Sequence, residues 1–415
     1  MSDYRKLIKQ VSTLLTGAIL AQILTLVAAP FITRIYSPSE FGLVATFWAT
    51  GGIIGIVSCL RYETTIIIEN DNSNNMQLVF TCILITFFMT TITSIGLVIG
   101  YYFFQDNYHL LSNNIIWGLP FLVLMLGLNK VAECVLTKNE KFIYLSTIAV
   151  LAVIASTSYK LITGYLFSAT YFNLLIGNFI ALLFAPVVLY SYLKKVNKIE
   201  WQSIKLLLIK YKKFPLIHAP NGFLNALSAS LPLIIIAAFL GSEMAGYYAI
   251  ALLVIQRPII VFGEALTKVF LKKAAITKGK VLYSDLQKST LFLVLVGFFP
   301  FLIFSYFSDD LFTIIFGSAW KTAGEMSSLL VPWLYCAFIN TPSTQTLVSK
   351  GKLEVILFYN IANVLRCAMF YLLLEGGYDL KMTILAYSAF GSVTILCLIL
   401  YTMHIFSPKL ESNIS

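Results

Sequence analysis

Two arginines, Arg257 and Arg366, stand inside long apolar stretches of this 415-residue sequence. A guanidinium keeps its charge in any protein environment and presents a rigid fork of N–H donors, which suits two-point contact with a phosphate or carboxylate. Arg34 and Arg61 lie at the ends of two further apolar stretches. His218, Asn221, Asn225 and Ser228 recur at helical spacing and form a polar stripe. Such a stripe reads either as interhelical hydrogen-bond glue or as cavity lining. Arg257, Glu264 and Lys268 are spaced i, i+7 and i+11, which places them on one helix face. Glu63 closes another apolar stretch beside Arg61, where an interfacial ion pair is the plainer reading. Deep basic groups outnumber deep acids, so a cavity lined by them favours an anionic ligand. Nothing points to bond-making chemistry. The sequence has no P-loop, H-E-x-x-H or G-x-S-x-G pattern. His109, His218, His404 and the six cysteines are scattered, which gives no metal-ligand set and leaves the cysteines as small buried apolar residues.

The elements that must carry these residues follow from composition. Hydrophobic residues make up 59% of the chain and charged residues 12%, against about 45–50% and about 25% in soluble domains. A soluble chain of this size would divide into two or three domains with polar shells, and the charge is too sparse to build them. Disorder and a disulfide scaffold are excluded by the same numbers. A polytopic membrane protein remains. Its apolar runs are continuous rather than alternating, so helices are expected and not strands. With roughly 20 apolar residues per crossing, twelve spans are expected, among them span one at 11–35, two at 43–66, five at 142–165, seven at 214–240, eight at 245–267, ten at 328–348 and eleven at 353–374. The first run is too long for a signal-peptide core and is expected to stay in place. At about 1.5 Å per residue, Arg257 lies about 18 Å along span eight and Arg366 about 20 Å along span eleven, near mid-membrane.

Orientation follows from lysine and arginine in the short loops. Of 29 basic residues, 23 fall on segments sharing the side of the N-terminus, Lys130 and the 194–213 cluster included. Arg34, Lys321 and Lys381 fall on the other side; Lys160, Arg257 and Arg366 fall within spans. Both termini are therefore expected in the cytoplasm. The net charge of +10 is an orientation signal and no sign of nucleic-acid binding. Lys160 is expected to snorkel to the outer interface. The longest internal polar segment, 194–213, reads as a basic amphipathic connector with six spans before and six after. That spacing gives an N-lobe over 1–200 and a C-lobe over 201–415 with the same orientation. Ser39–Ala45 and Glu243–Ala249 carry a faint repeat, each with G-x-x-A after an acid. Gly51 and Gly55 form G-x-x-x-G, a signal for close helix packing.

Four motifs carry a resemblance. The run Pro30-Phe31-Ile32-Thr33-Arg34-Ile35-Tyr36-Ser37-Pro38-Ser39-Glu40-Phe41-Gly42 resembles the first outer loop of Wzx-type O-antigen and capsule-unit flippases, in the multidrug/oligosaccharidyl-lipid/polysaccharide exporter superfamily. Leu60-Arg61-Tyr62-Glu63 is similar to their signature at the end of span two. The run from Phe316 to Gly324 resembles their F-G-x-x-W-x-x-A-G before span ten, and Arg257-Pro258 fits span eight. Thr64-Thr65 departs from the pattern, which has a small apolar residue there.

The resemblance covers nearly the whole chain. It implies an all-α integral membrane fold with about twelve transmembrane helices in two six-helix lobes around a central cavity, an alternating-access exporter. It implies a transporter and not an enzyme, moving an undecaprenyl-pyrophosphate-linked oligosaccharide repeat unit of O-antigen or capsule type between leaflets of the bacterial inner membrane. No cofactor is implied beyond a proton or sodium gradient. Implied partners are membrane lipids, a polysaccharide polymerase and a chain-length regulator. On this reading Arg257 and Arg366, with Arg34 and Arg61 at the two mouths and Asn221 and Asn225 between, bind the head group. Glu63 and Glu264 couple the ion. The physics agrees, because a pyrophosphate-sugar head cannot shed its water into hydrocarbon without replacement contacts, and arginines supply charge-assisted ones. Two other readings stay open. A multidrug exporter of the same superfamily would want an acidic cavity for organic cations. A membrane polymerase or ligase for lipid-linked glycans would want a larger outer loop than the segment 308–327.

Overall fold

The computed structural model describes residues 2–104, 114–194, 199–277 and 279–408, with side chains except those of 2–15, 104, 114, 261–276 and 353. Every regular element among them is helical. In the first half run α1 (Ser2–Thr33), α2 (Pro38–Gly55), α3 (Glu63–Ile68), α4 (Asn72–Phe104), α5 (Leu119–Lys138), α6 (Phe142–Leu166), α7 (Tyr171–Leu182) and α8 (Phe184–Leu193). Then come α9 (Trp201–Lys210), α10 (Ala219–Ile276), α11 (Gly279–Phe316), α12 (Lys321–Ile339), α13 (Thr341–Ser349), α14 (Leu353–Glu375) and α15 (Leu380–Ile405). The chain divides into two compact units, Met1–Ala245 and Gly246–Ser415.

Nine helices among the described residues are long and apolar enough to cross a membrane. One of them, Phe214–Ile260, runs through Gly241, whose φ of 87° breaks the helix between spans seven and eight. Spans two and ten are absent from that count; α2 and α12 are long enough but less apolar, and residues 56–62 separate α2 from α3 as Asn340 separates α12 from α13. The expected twelve is thus not reached by length and apolarity alone. Pro258 keeps helical backbone inside α10.

The motifs prove to be construction points. Ser37 and Glu40 form a capping box at the start of α2, and Pro38 takes the first turn, where its missing N–H costs nothing. Tyr36 is 1% exposed, and its hydroxyl donates to the Lys160 carbonyl at 2.8 Å, tying the loop to α6. Gly51 and Gly55 let α2 close on Leu122 and Leu126 of α5, the packing their spacing announced. In the second unit Gly317 has φ 107°, Trp320 is 1% exposed edge-on to Tyr247, and Ala323 is buried. A Cβ on Gly324 would stand 2.8 Å from Asp309 Cα and from the Ser308 carbonyl, both backbone and unable to yield. Gly324→Ala is therefore expected to lower stability by about 1–3 kcal/mol, the usual cost of overpacking. Thermal unfolding of the purified protein reads it, and an unchanged midpoint would show that α11 and α12 can separate without strain.

In the described part of the basic segment, residues 199–213, α9 is amphipathic. Helix α9 buries Ile204 and Leu207 and leaves Trp201, Lys205, Leu206 and Ile209 exposed. Its end is pinned to the α3–α4 turn, where Lys210 Nζ donates to Glu69 Oε2 at 2.6 Å and the Tyr211 hydroxyl donates to the same oxygen at 2.9 Å. Tyr62 adds a bond to the Leu208 carbonyl at 3.1 Å. The Lys210 hydrogen bond, helped by the Asp71 backbone N–H and Tyr211, holds the Glu69 carboxyl down at about 2 despite its burial. A depressed carboxyl contributes stability above its unfolded-state value and loses it as pH falls toward the folded one. The stability difference between wild type and Glu69→Gln is thus expected to be constant from neutral pH to about 5 and to shrink below about 4. Unfolding midpoints across that range test it; a difference that grows on acidification contradicts the pair.

Candidate functional site

In the first unit the site begins with a broken helix. Residues 56–62 leave the α-helical ladder for short turns, with Tyr62 N–H donating to the Cys59 carbonyl at 3.0 Å and Leu60 N–H to Val57 at 2.9 Å. Backbone groups freed at membrane depth must be satisfied inside the protein. The Gly55 carbonyl accepts from Lys130 Nζ at 2.7 Å and from Ser58 Oγ at 2.8 Å. Cys59 Sγ lies 3.1 Å from Thr86 Oγ1 and 3.7 Å from the Gly127 carbonyl. This corrects the placement of Lys130 in a cytoplasmic loop: it lies within α5 and caps the α2 break.

The break turns the chain through Leu60 (φ 50°) and Arg61 (φ 64°), both left-handed without being glycine. Such residues each cost on the order of 1–3 kcal/mol and persist where the surroundings fix them, often at functional sites. The consequence here is an aimed guanidinium. Arg61 Nη1 lies 3.7 Å from Glu63 Oε1, with the Arg61 side chain 31% exposed and that of Glu63 4%. Glu63 Oε2 is buried without a hydrogen-bond partner, and Lys130 and Arg61 are the cations acting on this carboxylate. Arg61 also rests on the start of α10, where a Cβ on Gly222 would come within 2.8 Å of Nη2. Asn221 and Asn225 flank that contact and are exposed. The structure therefore sets Arg61 and Glu63 against Gly222, at the start of the helix that carries the polar stripe, two places the sequence put on distant spans.

In the second unit Arg257 is half-buried within α10. Arg366, expected among the head-group contacts, is 3% exposed and meets aromatic rings in this conformation rather than open space. The side chains of Glu264 and Lys268 lie outside the described residues. Arg34 is exposed just past the end of α1. Lys160 does not snorkel: its Nζ donates to Asn178 Oδ1 at 2.6 Å and its stem crosses Gly177 of α7. An acid the sequence reading passed over is Glu133, which lines a cleft of about 280 Å³ in the first unit with Asn129 and the apolar Ala132, Leu136, Leu145 and Phe184. Its signal was available as a carboxylate inside the apolar run 115–136, three residues from Lys130. Among the described residues no cluster of His, Cys, Asp or Glu has metal-site geometry.

Comparison with known proteins adds a family and a fold. A family described as "Polysaccharide biosynthesis protein" matches residues 31–325. The teichuronic acid biosynthesis protein TuaB of Bacillus subtilis (strain 168) is 26% identical over 143 residues, 34% of this chain and 29% of TuaB, so the match spans less than a third of that relative. The lipid II flippase MurJ, in an inward closed conformation, is 13% identical with a TM-score of 0.71, covering 93% of this chain and 86% of MurJ. An inward-facing multidrug resistance MATE family transporter of the MOP superfamily is 13% identical with a TM-score of 0.67, covering 93% and 94%. A MOP superfamily transporter from Pyrococcus furiosus is 12% identical with a TM-score of 0.60, covering 96% and 95%. At these identities the likeness is one of fold, that of multi-pass membrane transporters.

Proposed function

The chain belongs to the polysaccharide biosynthesis protein family, and from that premise we propose that it is a flippase for a polyprenyl-pyrophosphate-linked oligosaccharide. The repeat unit, of O-antigen or capsule type, passes from the inner to the outer leaflet of the bacterial cytoplasmic membrane, with both termini of the protein in the cytoplasm. The observation that carries this reading is the Arg61 cradle: a guanidinium aimed by a left-handed break, backed by Gly222 and flanked by exposed Asn221 and Asn225. Charge-assisted contacts from such a group replace the water a pyrophosphate loses, and the amides suit sugar hydroxyls. In the second unit Arg257 is the corresponding head-group cation, and Arg34 serves the outer mouth.

Glu63 is the coupling group. Arg61 pairs with it at rest; a phosphate that engages Arg61 leaves the buried carboxylate with Lys130 alone, and proton uptake relieves it. Glu264 is a second candidate for this role. A polysaccharide polymerase and a chain-length regulator are the expected partners downstream. A fold shared with multidrug transporters fits a cation exporter equally, but a site centred on guanidinium groups favours an anion. Complementation of a flippase-deficient strain separates the two: surface polysaccharide with defined repeat units is expected, and drug resistance without surface polymer would reassign the protein.

A further inference from the structure

A groove of about 640 Å³ runs between α14 and α15 in the second unit. The two helices pack together and are joined by residues 376–379 alone, so they run antiparallel and the start of α14 lies beside the end of α15. Phe358 and Ala362 line it from α14, and Val393, Cys397 and Tyr401 from α15, each set in steps of four residues that keep to one helix face. From Lys352 to Ala362 the lining extends about 15 Å at the helical rise. Half of a hydrocarbon core of about 30 Å is the same length. The groove therefore has the depth of one leaflet, the cytoplasmic one in the orientation proposed above.

Its two charged lining residues stand together at one end. Lys352 is the N-cap of α14, and Glu354 lies in the first turn, where the helix dipole favours a carboxylate. Both are exposed. The N-cap side chain makes no capping bond, so backbone N–H groups at the start of α14 add to the pull of Lys352 on an anion. Further in, the lining turns apolar. The Thr394 hydroxyl donates to the Gly391 carbonyl at 2.9 Å, and Phe358, Val393 and Tyr401 are exposed.

Fluid lipid accounts for an apolar face at this depth, but not for a cation and a carboxylate two residues apart at its polar end. An anionic head group satisfies Lys352 and is repelled by Glu354. A head group with both a phosphate and an ammonium satisfies the two together. A primary ammonium brings three N–H donors to the carboxylate, and a quaternary one brings none.

We infer that this groove binds a phospholipid with a primary ammonium head group, of phosphatidylethanolamine type. One acyl chain lies along Phe358, Ala362, Val393 and Tyr401. The phosphate meets Lys352 and the start of α14, and the ammonium donates to Glu354. This lipid is distinct from the saccharide carrier proposed above, whose pyrophosphate would set negative charge and no ammonium beside Glu354.

The test is native mass spectrometry of the full-length protein in detergent, titrated with phosphatidylethanolamine, phosphatidylcholine and phosphatidylglycerol of identical acyl chains. One saturable adduct is expected, forming with phosphatidylethanolamine at about one tenth the concentration needed with phosphatidylcholine, the usual effect of one bond to a charged group. Glu354→Gln is expected to erase that preference, and Lys352→Ala to weaken the adduct with every head group. Val393→Trp adds bulk at an exposed position, so it fills the groove without entering the core and is expected to remove the adduct. A phosphatidylethanolamine with a photoreactive acyl chain is expected to label Phe358, Cys397 or Tyr401. Equal binding of the ethanolamine and choline lipids, a preference that survives Glu354→Gln, or label found only elsewhere would overturn the site. A phosphatidylglycerol adduct that is tighter than the others and lost in Lys352→Ala would overturn it in favour of an anionic lipid.

Discussion

Arg257→Ala is expected to abolish surface polysaccharide while leaving the protein in the membrane at its normal level. Each hydrogen bond from a charged donor contributes about 1.5–3 kcal/mol. Losing a two-point contact to the pyrophosphate therefore lowers head-group affinity on the order of 100-fold or more. Arg257→Lys separates two roles, since it keeps the charge at the same point of α10 but removes the fork. Display is expected to fall part of the way in the lysine variant. Immunoblots for polymer and for protein in the same membranes give both readings, and full display by the alanine variant would remove Arg257 from the head-group site.

Arg61→Ala is expected to destabilise the first unit, and adding Glu63→Gln is expected to restore most of what is lost. Removing one partner of a buried ion pair costs about 3–5 kcal/mol when the other charge is stranded. With Arg61 about one third exposed, solvent screening lowers that to about 1–3 kcal/mol. Lys130, already engaged with the Gly55 carbonyl, compensates Glu63 only in part. Neutralising the carboxylate removes the stranded charge, so the two substitutions should be strongly non-additive in a double-mutant cycle. Additive losses would show that the two residues do not act as a pair. Glu63→Gln alone should leave the fold intact and remove the response of transport to a pH gradient; an unchanged response would move coupling to another acid.

How far the sequence carried depends on which partner each residue uses. Where a role rests on local capping or on the small size and backbone freedom of glycine, the motif was readable. Ser37 and Glu40 cap α2 three residues apart, Gly51 and Gly55 admit α5 at one-turn spacing, and Gly317 and Gly324 sit where only glycine fits. Where a side chain's hydrogen-bond partner sits on another helix, it was not. Nothing in the sequence announces that Lys130 seeks the Gly55 carbonyl, because the break that frees it contains neither proline nor glycine between Ile56 and Tyr62. Lys160 and Asn178 pair across two helices in the same hidden way. Arg366 was legible as a deep charge, but its enclosure depends on Trp333, Tyr387 and Gly391, which lie on two other helices. Depth is a property of one helix and can be counted; burial belongs to three.

The central claim, movement of a lipid-linked saccharide head group across the bilayer, is tested most directly in proteoliposomes. The purified chain would be reconstituted with a fluorescent polyprenyl-pyrophosphate oligosaccharide, and a membrane-impermeant glycosidase added outside. With a pH gradient imposed, the protected inner-leaflet fraction is expected to become cleavable in wild type and to stay protected in Arg257→Ala. A protected fraction that never falls in wild-type vesicles, with the protein folded and the gradient intact, would contradict the account.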